Sequence, residues 1–281
     1  MKFQYLGTAA AEGWPALFCR CERCMEALKR GGKDIRTRSQ SLVNDDLLID
    51  MPPDTYLHKL QHGLDLSRLH DLLVTHWHMD HFFARELCNH GGCYSHDMIS
   101  KELHVWCAQG TLDTFLKDTG WTMETCVDRA IIWHILKPFE TFKAGKYTVT
   151  PLPAKHMLEM KNGEPYFYLI EDGEKSILYC HDTGIFYDEV WEFLTKRKKP
   201  VSMLSVDGTY GPAPAGYGGH MGLPENIIVR DRLREIGLVD ENTVCVINHF
   251  SHNGGMAHDE FCELAGKEGF LVSYDGMKLE L

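Results

Sequence analysis

The side chains with the clearest chemical potential are three histidines and one aspartate that follow an apolar run. The run, residues 71–74, predicts a short buried strand, and residues 82–88 predict the start of a helix. In an extended backbone His76 and His78 point to the same side, and the next turn presents Asp80 and His81. Neutral imidazole nitrogens and ionised carboxylates are donors that divalent metals take in proteins. The segment therefore predicts a loop that can face two cations: Thr75-His76-Trp77-His78-Met79-Asp80-His81.

The pattern H-x-H-x-D-H after an apolar strand resembles the signature of the metallo-β-lactamase fold, a superfamily of mostly binuclear hydrolases. That resemblance implies an α/β protein built as a four-layer αββα sandwich, in which two mixed β-sheets are flanked by helices. It also implies that the remaining ligands come from residues that follow later strands.

Length and composition favour one soluble domain. The chain has 281 residues, enough to bury a large core, and no linker, low-complexity tract or repeat divides it, so we predict one domain over residues 1–281. Hydrophobic residues make up 44% and charged residues 25%, as in ordinary globular proteins. We find neither an apolar run of membrane-spanning length nor the features of a signal peptide, and expect a cytoplasmic protein without membrane attachment.

The net charge and the cysteine content limit the classes of partner and ligand that we expect. The formal net charge of −11 argues against a nucleic-acid partner, because affinity for a polyanion depends largely on Lys and Arg. The compact basic run 196–199 is interpreted as a solvated helix end. Ten cysteines without an export signal favour reduced thiols and metal ligands over disulfides. The oligomeric state stays open, a homodimer included.

A C-x-C-x-x-C cluster lies near the N-terminus and comprises Cys19, Cys21 and Cys24. Three thiolates at this spacing can reach one ion, and soft sulfur ligands select zinc. A closed tetrahedral site needs a fourth ligand from elsewhere in the chain. Three unrelated thiols are the alternative interpretation.

Predicted strands lead into three further candidate ligands. A strand over 147–153 precedes His156, although an isolated histidine is more often an ordinary surface or core residue. A hairpin over 166–180, with its turn at Asp172-Gly173, precedes Asp182. The metallo-β-lactamase resemblance implies that His156 is the next ligand and that Asp182, in a D-T-G sequence, bridges both metals. It also implies that His249, which follows a predicted strand over 243–247, is the last ligand of the centre.

Two other residues have candidate supporting roles. Asp50 follows a strand over 47–49, and the resemblance implies a buried carboxylate that orients a ligand histidine; an ordinary strand-end aspartate fits equally well. His220 lies near the end of a glycine-rich loop that can bend over a site. It is a candidate general acid, and an exposed loop histidine is the equal alternative.

The cysteine cluster, the H-x-H-x-D-H loop and a terminal H-x-x-H together resemble the phosphoribosyl cyclic phosphate phosphodiesterases of the carbon–phosphorus lyase pathway. The resemblance spans nearly the whole chain in motif order. It departs at residues 91–136, a possible insertion that is longer than such an enzyme needs. It implies a structural zinc held by Cys19, Cys21, Cys24 and His252, and a catalytic centre formed by His76, His78, Asp80, His81, His156, Asp182 and His249, with His220 near the phosphate.

This ligand set predicts a metal-dependent phosphodiesterase for a small, possibly cyclic, phosphate ester. His76, His78 and His156 would hold the first divalent ion. Asp80, His81 and His249 would hold the second, with Asp182 shared. Two such ions, whether zinc, manganese or iron, lower the pKa of a shared water and neutralise phosphoryl oxygens during in-line attack, so that metal hydroxide attacks the ester. Asp80 and His220 are the predicted catalytic residues, His220 as the acid that protonates the leaving alkoxide.

Other functions use the same ligands. They are RNA 3′-end processing, thioester or lactone hydrolysis, and a role like that of the related quinone-cofactor biosynthesis protein. A non-catalytic scaffold or sensor that holds metal is a further alternative. The acidity of the chain counts against RNA processing, and the complete ligand set counts against a scaffold.

Overall fold

The computed structural model describes residues 1–156, 165–216 and 218–281. Its strands form two seven-stranded sheets. The first sheet contains β1–β6 and β14, and the second contains β7–β13. In chain order the strands are β1 Lys2–Gly7, β2 Gln40–Val43, β3 Leu47–Ile49, β4 Asp71–Leu73, β5 Leu103–Cys107, β6 Ile131–Ile135, β7 Phe142–Ala144, β8 Tyr147–Pro153, β9 Tyr166–Glu171, β10 Ser176–Cys180, β11 Met203–Asp207, β12 Val244–Asn248, β13 Leu271–Val272 and β14 Lys278–Glu280.

Both sheets are mixed. The first has the order β14-β1-β2-β3-β4-β5-β6, with antiparallel pairs as far as β3 and parallel pairs from β3 to β6. The second has the order β13-β12-β11-β10-β9-β8-β7, with parallel pairs from β10 to β13 and antiparallel pairs elsewhere. Parallel strands of one sheet end at a common edge, so the loops after β10, β11 and β12 can meet there, and the loop after β4 belongs to the other sheet.

Helices cover the outer face of each sheet. One apolar cluster places α1, α5, α6 and α7 against the second sheet, and another places α3 and α4 against the first. A third cluster fills the space between the sheets. These layers confirm the predicted αββα sandwich. The helices are α1 Glu22–Arg30, α2 Thr55–His62, α3 Gln109–Thr119, α4 Met123–Asp128, α5 Asp188–Thr195, α6 Leu223–Glu235 and α7 His258–Lys267, with 3-10 turns at Gly32–Asp34, Leu66–Arg68 and Ala84–Asn89.

Buried tyrosines connect the two sheets. The hydroxyl of Tyr168 donates a 2.6 Å hydrogen bond to the carbonyl oxygen of Val74, the second residue before His76. Tyr5 and Ser205 place their hydroxyl oxygens 2.6 Å apart across the same core. A buried tyrosine hydroxyl needs such a partner to offset its lost hydration. The bond from Tyr168 fixes the chain just after β4, where the histidine-rich loop begins.

The prediction that a helix starts over residues 82–88 is wrong, because the structure has a short 3-10 segment there. The amide of Phe82 donates to the carbonyl of His78, and the amide of Phe83 donates to the carbonyl of Met51. Phe82 therefore forms a bridge with Met51, and regular helical bonding cannot begin there. Only the six-residue 3-10 segment Ala84–Asn89 follows.

Residues 91–136, the possible insertion, contribute strands as well as helices. They supply β5 and β6, which extend the first sheet in parallel beyond β4, and they supply α3 and α4. Within the part of the chain that the structure describes, no helix combines the length and the apolarity needed to cross a membrane.

The turn before α7 packs directly on the loop that leads to His220. A Cβ atom on Gly254 would lie 2.3 Å from the backbone carbonyl carbon of Tyr210. The amide of Tyr210 in turn donates to the carbonyl of Met221. Close packing of these two backbones therefore requires glycine at position 254.

We expect Gly254→Ala to lower the free energy of unfolding by about 1–3 kcal/mol, because the new methyl group overpacks the contact. The matched control is Gly266→Ala within α7, where a Cβ would meet nothing within 4 Å. That control should be neutral or stabilising by up to about 1 kcal/mol. Urea unfolding of both variants checks the prediction, and equal stability of the two would contradict it.

Candidate metal centre

The carboxylate of Asp50 holds the loop after β4 through hydrogen bonds. Its Oδ1 accepts from the amide and hydroxyl of Thr75 at 2.8 and 2.9 Å, and its Oδ2 lies 2.7 Å from His81 Nδ1. Asp50 is fully buried and adopts a positive φ of 65°. Because Nδ1 of His81 is occupied by this carboxylate, its Nε2 is the nitrogen left to bind a metal.

Asp182 lies at the middle of the histidines. Its Oδ2 is 2.5 Å from His81 Nε2, 3.3 Å from His249 Nε2 and 3.7 Å from His76 Nε2. Asp182 is the second residue after β10 and adopts a positive φ of 50°. The turn after β10 thus brings one carboxylate against imidazoles from two different loops.

The structure brings all seven predicted donors into two adjoining groups. Within each group, one candidate ligand atom per residue lies within 4.8 Å of all the others. His76 and His78, two residues apart in one loop, have ring nitrogens 2.8 Å apart. The first group is His76, His78 and His156, and the second is Asp80, His81, Asp182 and His249.

The charges in this centre suit cation binding. Burial alone would raise the pKa of Asp182, but His249 and His81 outweigh it and hold this pKa well below its ordinary value. Burial, reinforced by His81, lowers the pKa of His76 far below the ordinary histidine value, and burial also lowers the pKa of His156. Burial alone would lower the pKa of His81 and of His249, but Asp182 and the neighbouring carboxylates raise both. The centre therefore offers an ionised carboxylate and, at His76 and His156, neutral imidazoles, while His81 and His249 would release a proton when a metal binds.

Buried imidazole nitrogens provide a second test of the fit. Among the described residues, Nε2 of His156 is buried without a hydrogen-bond partner, and Nε2 of His81 and of His249 is buried against the carboxylate of Asp182. A buried polar atom without a partner is costly unless another group satisfies it. Divalent cations coordinated by these nitrogens would remove that cost, so the residues present fit a metal centre.

His220, the predicted general acid, lies inside the centre rather than on an exposed loop. Its Nδ1 is 3.2 Å from both Asp182 Oδ1 and Asp207 Oδ2, and 3.2 Å from the hydroxyl of Thr209. Burial alone would lower the pKa of His220, but Asp207 and then Asp182 raise it to about 9. His220 is thus held mainly in its protonated form at neutral pH.

Asp207 is a further residue of the centre that the sequence analysis did not select. It is fully buried at the end of β11, and its Oδ2 lies 3.2 Å from His220 Nδ1 and 3.3 Å from His249 Nδ1. The same oxygen accepts the amide of Asp182 at 3.0 Å. One carboxylate therefore orients two histidines and the Asp182 turn. Its position at the end of an apolar run, 203–206, was the available signal.

The cysteine cluster and His252 also converge. His252 Nδ1 lies 3.4 Å from Cys21 Sγ and 3.7 Å from Cys19 Sγ, and Cys24 belongs to the same group. The amides of Cys21 and Ala16 point at the sulfurs of Cys19 and Cys24, each at 3.4 Å. The backbone amide of Cys24, followed by His252, lowers the pKa of the Cys21 thiol to about 6. The group has the donor set of a zinc site with three thiolates and one histidine.

Two backbone bonds connect the cysteine-bearing loop to the metal centre. The amide of Ala10 donates to the carbonyl of Phe250, and the amide of Phe250 donates to the carbonyl of Thr8, both at 2.8 Å. Phe250 directly follows His249. The loop that carries the cysteines is therefore bonded to the residue beside a candidate ligand.

The family comparison agrees with this architecture. Residues 46–239, more than half of the chain, match the family model described as a β-lactamase superfamily domain. The chain belongs to this superfamily, and its two sheets with flanking helices confirm the predicted metallo-β-lactamase fold. The fold and its His/Asp clusters indicate a protein that binds divalent metal. No curated protein sequence matches the chain.

Solved structures share the fold over the whole chain. A diphosphatase from the PhnP family has a TM-score of 0.73 at 19% identity, covering 100% of this chain and 97% of its own. Zn²⁺-bound PqqB from Methylobacterium extorquens has a TM-score of 0.74 at 19% identity, covering 100% of both chains. Human tRNase Z, short form, has a TM-score of 0.64 at 16% identity, covering 100% of this chain and 99% of its own. At these identities the likeness establishes the common fold alone.

We expect Asp207→Asn to weaken metal binding about 10–100-fold, as loss of a carboxylate behind a ligand histidine commonly does. The amide keeps the shape of the side chain but removes the charge that faces His220 and His249. Metal retained after dialysis against graded chelator concentrations measures the effect. Asp128→Asn, an exposed change at the end of α4, is the control. Wild-type metal retention in Asp207→Asn would contradict the assigned role.

Proposed function

We propose that this protein is a binuclear metal-dependent hydrolase, and specifically a phosphodiesterase for a small, possibly cyclic, phosphate ester. The observation that carries the proposal is the position of Asp182, whose Oδ2 faces His81 and His249 of one donor group and His76 of the other. A carboxylate between two sets of imidazoles is placed to bind two cations at once. Superfamily membership supports the hydrolase class.

In this proposal His76, His78 and His156 hold one ion, and Asp80, His81 and His249 hold the other, with Asp182 shared. Zinc, manganese and iron all suit such a set of nitrogen and oxygen donors. When bound, a pair of divalent ions supplies a water of lowered pKa and neutralises phosphoryl oxygens. Asp50 orients His81, and Asp207 orients His249, through the Nδ1 contacts described above.

The chain's own proton donor is His220. Asp207 and Asp182 keep the proton on Nδ1, which faces them, and their negative charge favours the imidazolium form. That imidazolium carries a second proton on Nε2, and we assign this proton to the leaving alkoxide. Asp80 is the other residue to which we assign a catalytic role, as a carboxylate of the same pocket.

We further propose a structural zinc on Cys19, Cys21, Cys24 and His252. Its ligands come from the N-terminal loop and from the turn after β12. A closed site of this kind would hold the turn that carries His249 in place.

A small ester is favoured over RNA by charge. The net charge of −11 is unfavourable for a polyanionic substrate, whose binding depends on released counterions and on many Lys and Arg contacts. The likeness to tRNase Z is one of fold and does not alter this balance.

The direct test is metal analysis of the purified protein together with two hydrolysis assays. We expect two divalent ions in the His/Asp centre, one zinc at the cysteines, and turnover of bis-p-nitrophenyl phosphate and of a ribose cyclic phosphate. Asp182→Ala should abolish turnover and reduce the metal content. A fully metallated protein that hydrolyses neither ester would refute the phosphodiesterase proposal.

We expect His220→Ala to reduce turnover of the ribose cyclic phosphate by about 10²-fold or more, because an alkoxide needs a proton as it leaves. Nitrophenolate is a stable leaving group, so hydrolysis of bis-p-nitrophenyl phosphate should fall far less. Steady-state kcat values for both esters measure the difference. His96→Ala, at an exposed histidine, is the control. Equal losses on the two esters would remove the general-acid role.

We expect Cys21→Ser to remove one zinc per chain and to lower the melting temperature by about 2–4 °C for each kcal/mol lost. The second catalytic ion should also bind less tightly, because Phe250 beside His249 is bonded to the N-terminal loop. Metal analysis and thermal unfolding check both effects. Cys93→Ser, at an exposed cysteine outside the cluster, is the control. An unchanged melting curve with full metal content would contradict the structural zinc.

A further inference from the structure

The last two cysteines of the cluster occupy the first turn of α1. Cys21 is the N-cap residue of this helix, and Cys24 is its third residue. One helical turn places the Cα atoms of residues three apart about 5 Å from each other, within the range of about 4.4–6.8 Å that a disulfide spans. The sulfurs of Cys21 and Cys24 lie within 4.8 Å of each other. A bond between these two sulfurs therefore needs little movement of the backbone.

The two thiols differ in exposure. Cys21 is exposed, whereas Cys24 is fully buried in the apolar cluster that packs on the second sheet. The amide of Ala16 points at the buried sulfur at 3.4 Å. Oxidation-sensitive cysteine pairs commonly have one accessible thiol at a helix N-terminus and a second, resolving thiol beside it. Cys21 has the position of the first thiol, and Cys24 has that of the second.

Cys19 is a less suitable partner for Cys21. It precedes α1 and is half-buried, and its sulfur accepts the amide of Cys21 at 3.4 Å. A disulfide between these two residues would disturb that contact and the N-cap of α1. The helix instead holds Cys21 and Cys24 together as one unit.

We propose that Cys21 and Cys24 form a reversible redox pair, which peroxides oxidise to a disulfide that expels the structural zinc. This inference rests on the proposed function, because it gives the proposed zinc site a regulatory role. The Cys21 thiolate attacks one oxygen of hydrogen peroxide, the O–O bond breaks, and one proton is taken up to give a sulfenic acid and water. The Cys24 thiolate then attacks the Cys21 sulfur and, with a second proton, releases another water. The two sulfurs lose the two electrons that the peroxide gains.

Oxidation would act on the catalytic centre through the turn after β12. The disulfide removes two of the four zinc ligands and leaves only Cys19 and His252, because a metal takes cysteine as the thiolate. Arg23, which lies between the two oxidised residues, donates to the carbonyls of His252 and Asn253 at 3.3 and 2.7 Å. His252 is three residues after His249. Loss of the zinc therefore loosens the turn that carries this candidate ligand of the second catalytic ion.

The experiment adds hydrogen peroxide in steps to the reduced, zinc-loaded full chain. Released zinc is measured with the chelator pyridylazoresorcinol, and disulfides are located by peptide mapping. We expect one zinc to be released for each Cys21–Cys24 disulfide formed, and dithiothreitol with added zinc to restore the starting state. Cys24→Ser should instead accumulate a sulfenic acid on Cys21 that dimedone traps. Cys93→Ser, at an exposed cysteine outside the cluster, is the control and should respond as the wild type does.

Three results would overturn the proposal: zinc that stays bound with both thiols reduced, zinc that leaves without this disulfide, and a disulfide that joins Cys19 instead. The zinc content before oxidation tests the structural site separately. A reduced protein that holds no zinc at the cysteines but forms the Cys21–Cys24 disulfide would refute the zinc site and leave the redox pair standing. Because none of these readouts uses turnover, failure to hydrolyse a diester would refute only the phosphodiesterase function.

Discussion

A buried carboxylate surrounded by imidazoles is the interaction on which the rest of this structure depends. Asp182 is 3% exposed, and Oδ2 alone contacts nitrogens of His76, His81 and His249. Removing a carboxylate from water costs several kcal/mol unless opposite charge and hydrogen bonds offset it. The neighbouring histidines supply part of that compensation, and bound cations would supply the rest. The centre therefore favours the binding of positively charged ions.

The donors of this centre follow strands of both sheets. Asp50 follows β3, the histidine-rich loop follows β4, Asp182 follows β10, and Asp207 ends β11. The two sheets contribute from opposite sides, so the donors meet only when both sheets pack through the core between them. The bond from Tyr168 to the carbonyl of Val74 is one direct link across that core. The packing that stabilises the sandwich therefore also sets the geometry of the centre.

Residues that act within one short loop were predictable from sequence, and residues defined by long-range contacts were less so. The spacing of His76, His78 and His81 alone predicted a metal-binding loop. Strand β8 and the hairpin formed by β9 and β10 have the predicted bounds. His156 and His249 are single histidines, and only the family resemblance distinguished them from ordinary ones. His249 follows β12, which pairs in parallel with β11, and His156 follows β8 in the antiparallel part of the same sheet. Their convergence with the histidine-rich loop depends on the packing of this sheet against the other, which periodicity alone does not encode.

Asp207 shows what pattern reasoning overlooked. It lies in a D-G-T sequence after a buried strand, just as Asp182 lies in D-T-G, but no ligand spacing marked it. Its role arises from contacts with His220 and His249, which are 13 and 42 residues away. The 3-10 segment Ala84–Asn89 was misassigned for a related reason. The bridge between Met51 and Phe82 is a tertiary contact that overrides local helix preference.

Anomalous diffraction from crystals of the metal-loaded protein tests the central claim most directly. The account predicts two peaks about 3.5–4 Å apart, with the Asp182 carboxylate between them, and a separate peak at Cys19, Cys21, Cys24 and His252. A single peak at the His/Asp centre, or a pair that the Asp182 carboxylate does not join, would contradict it.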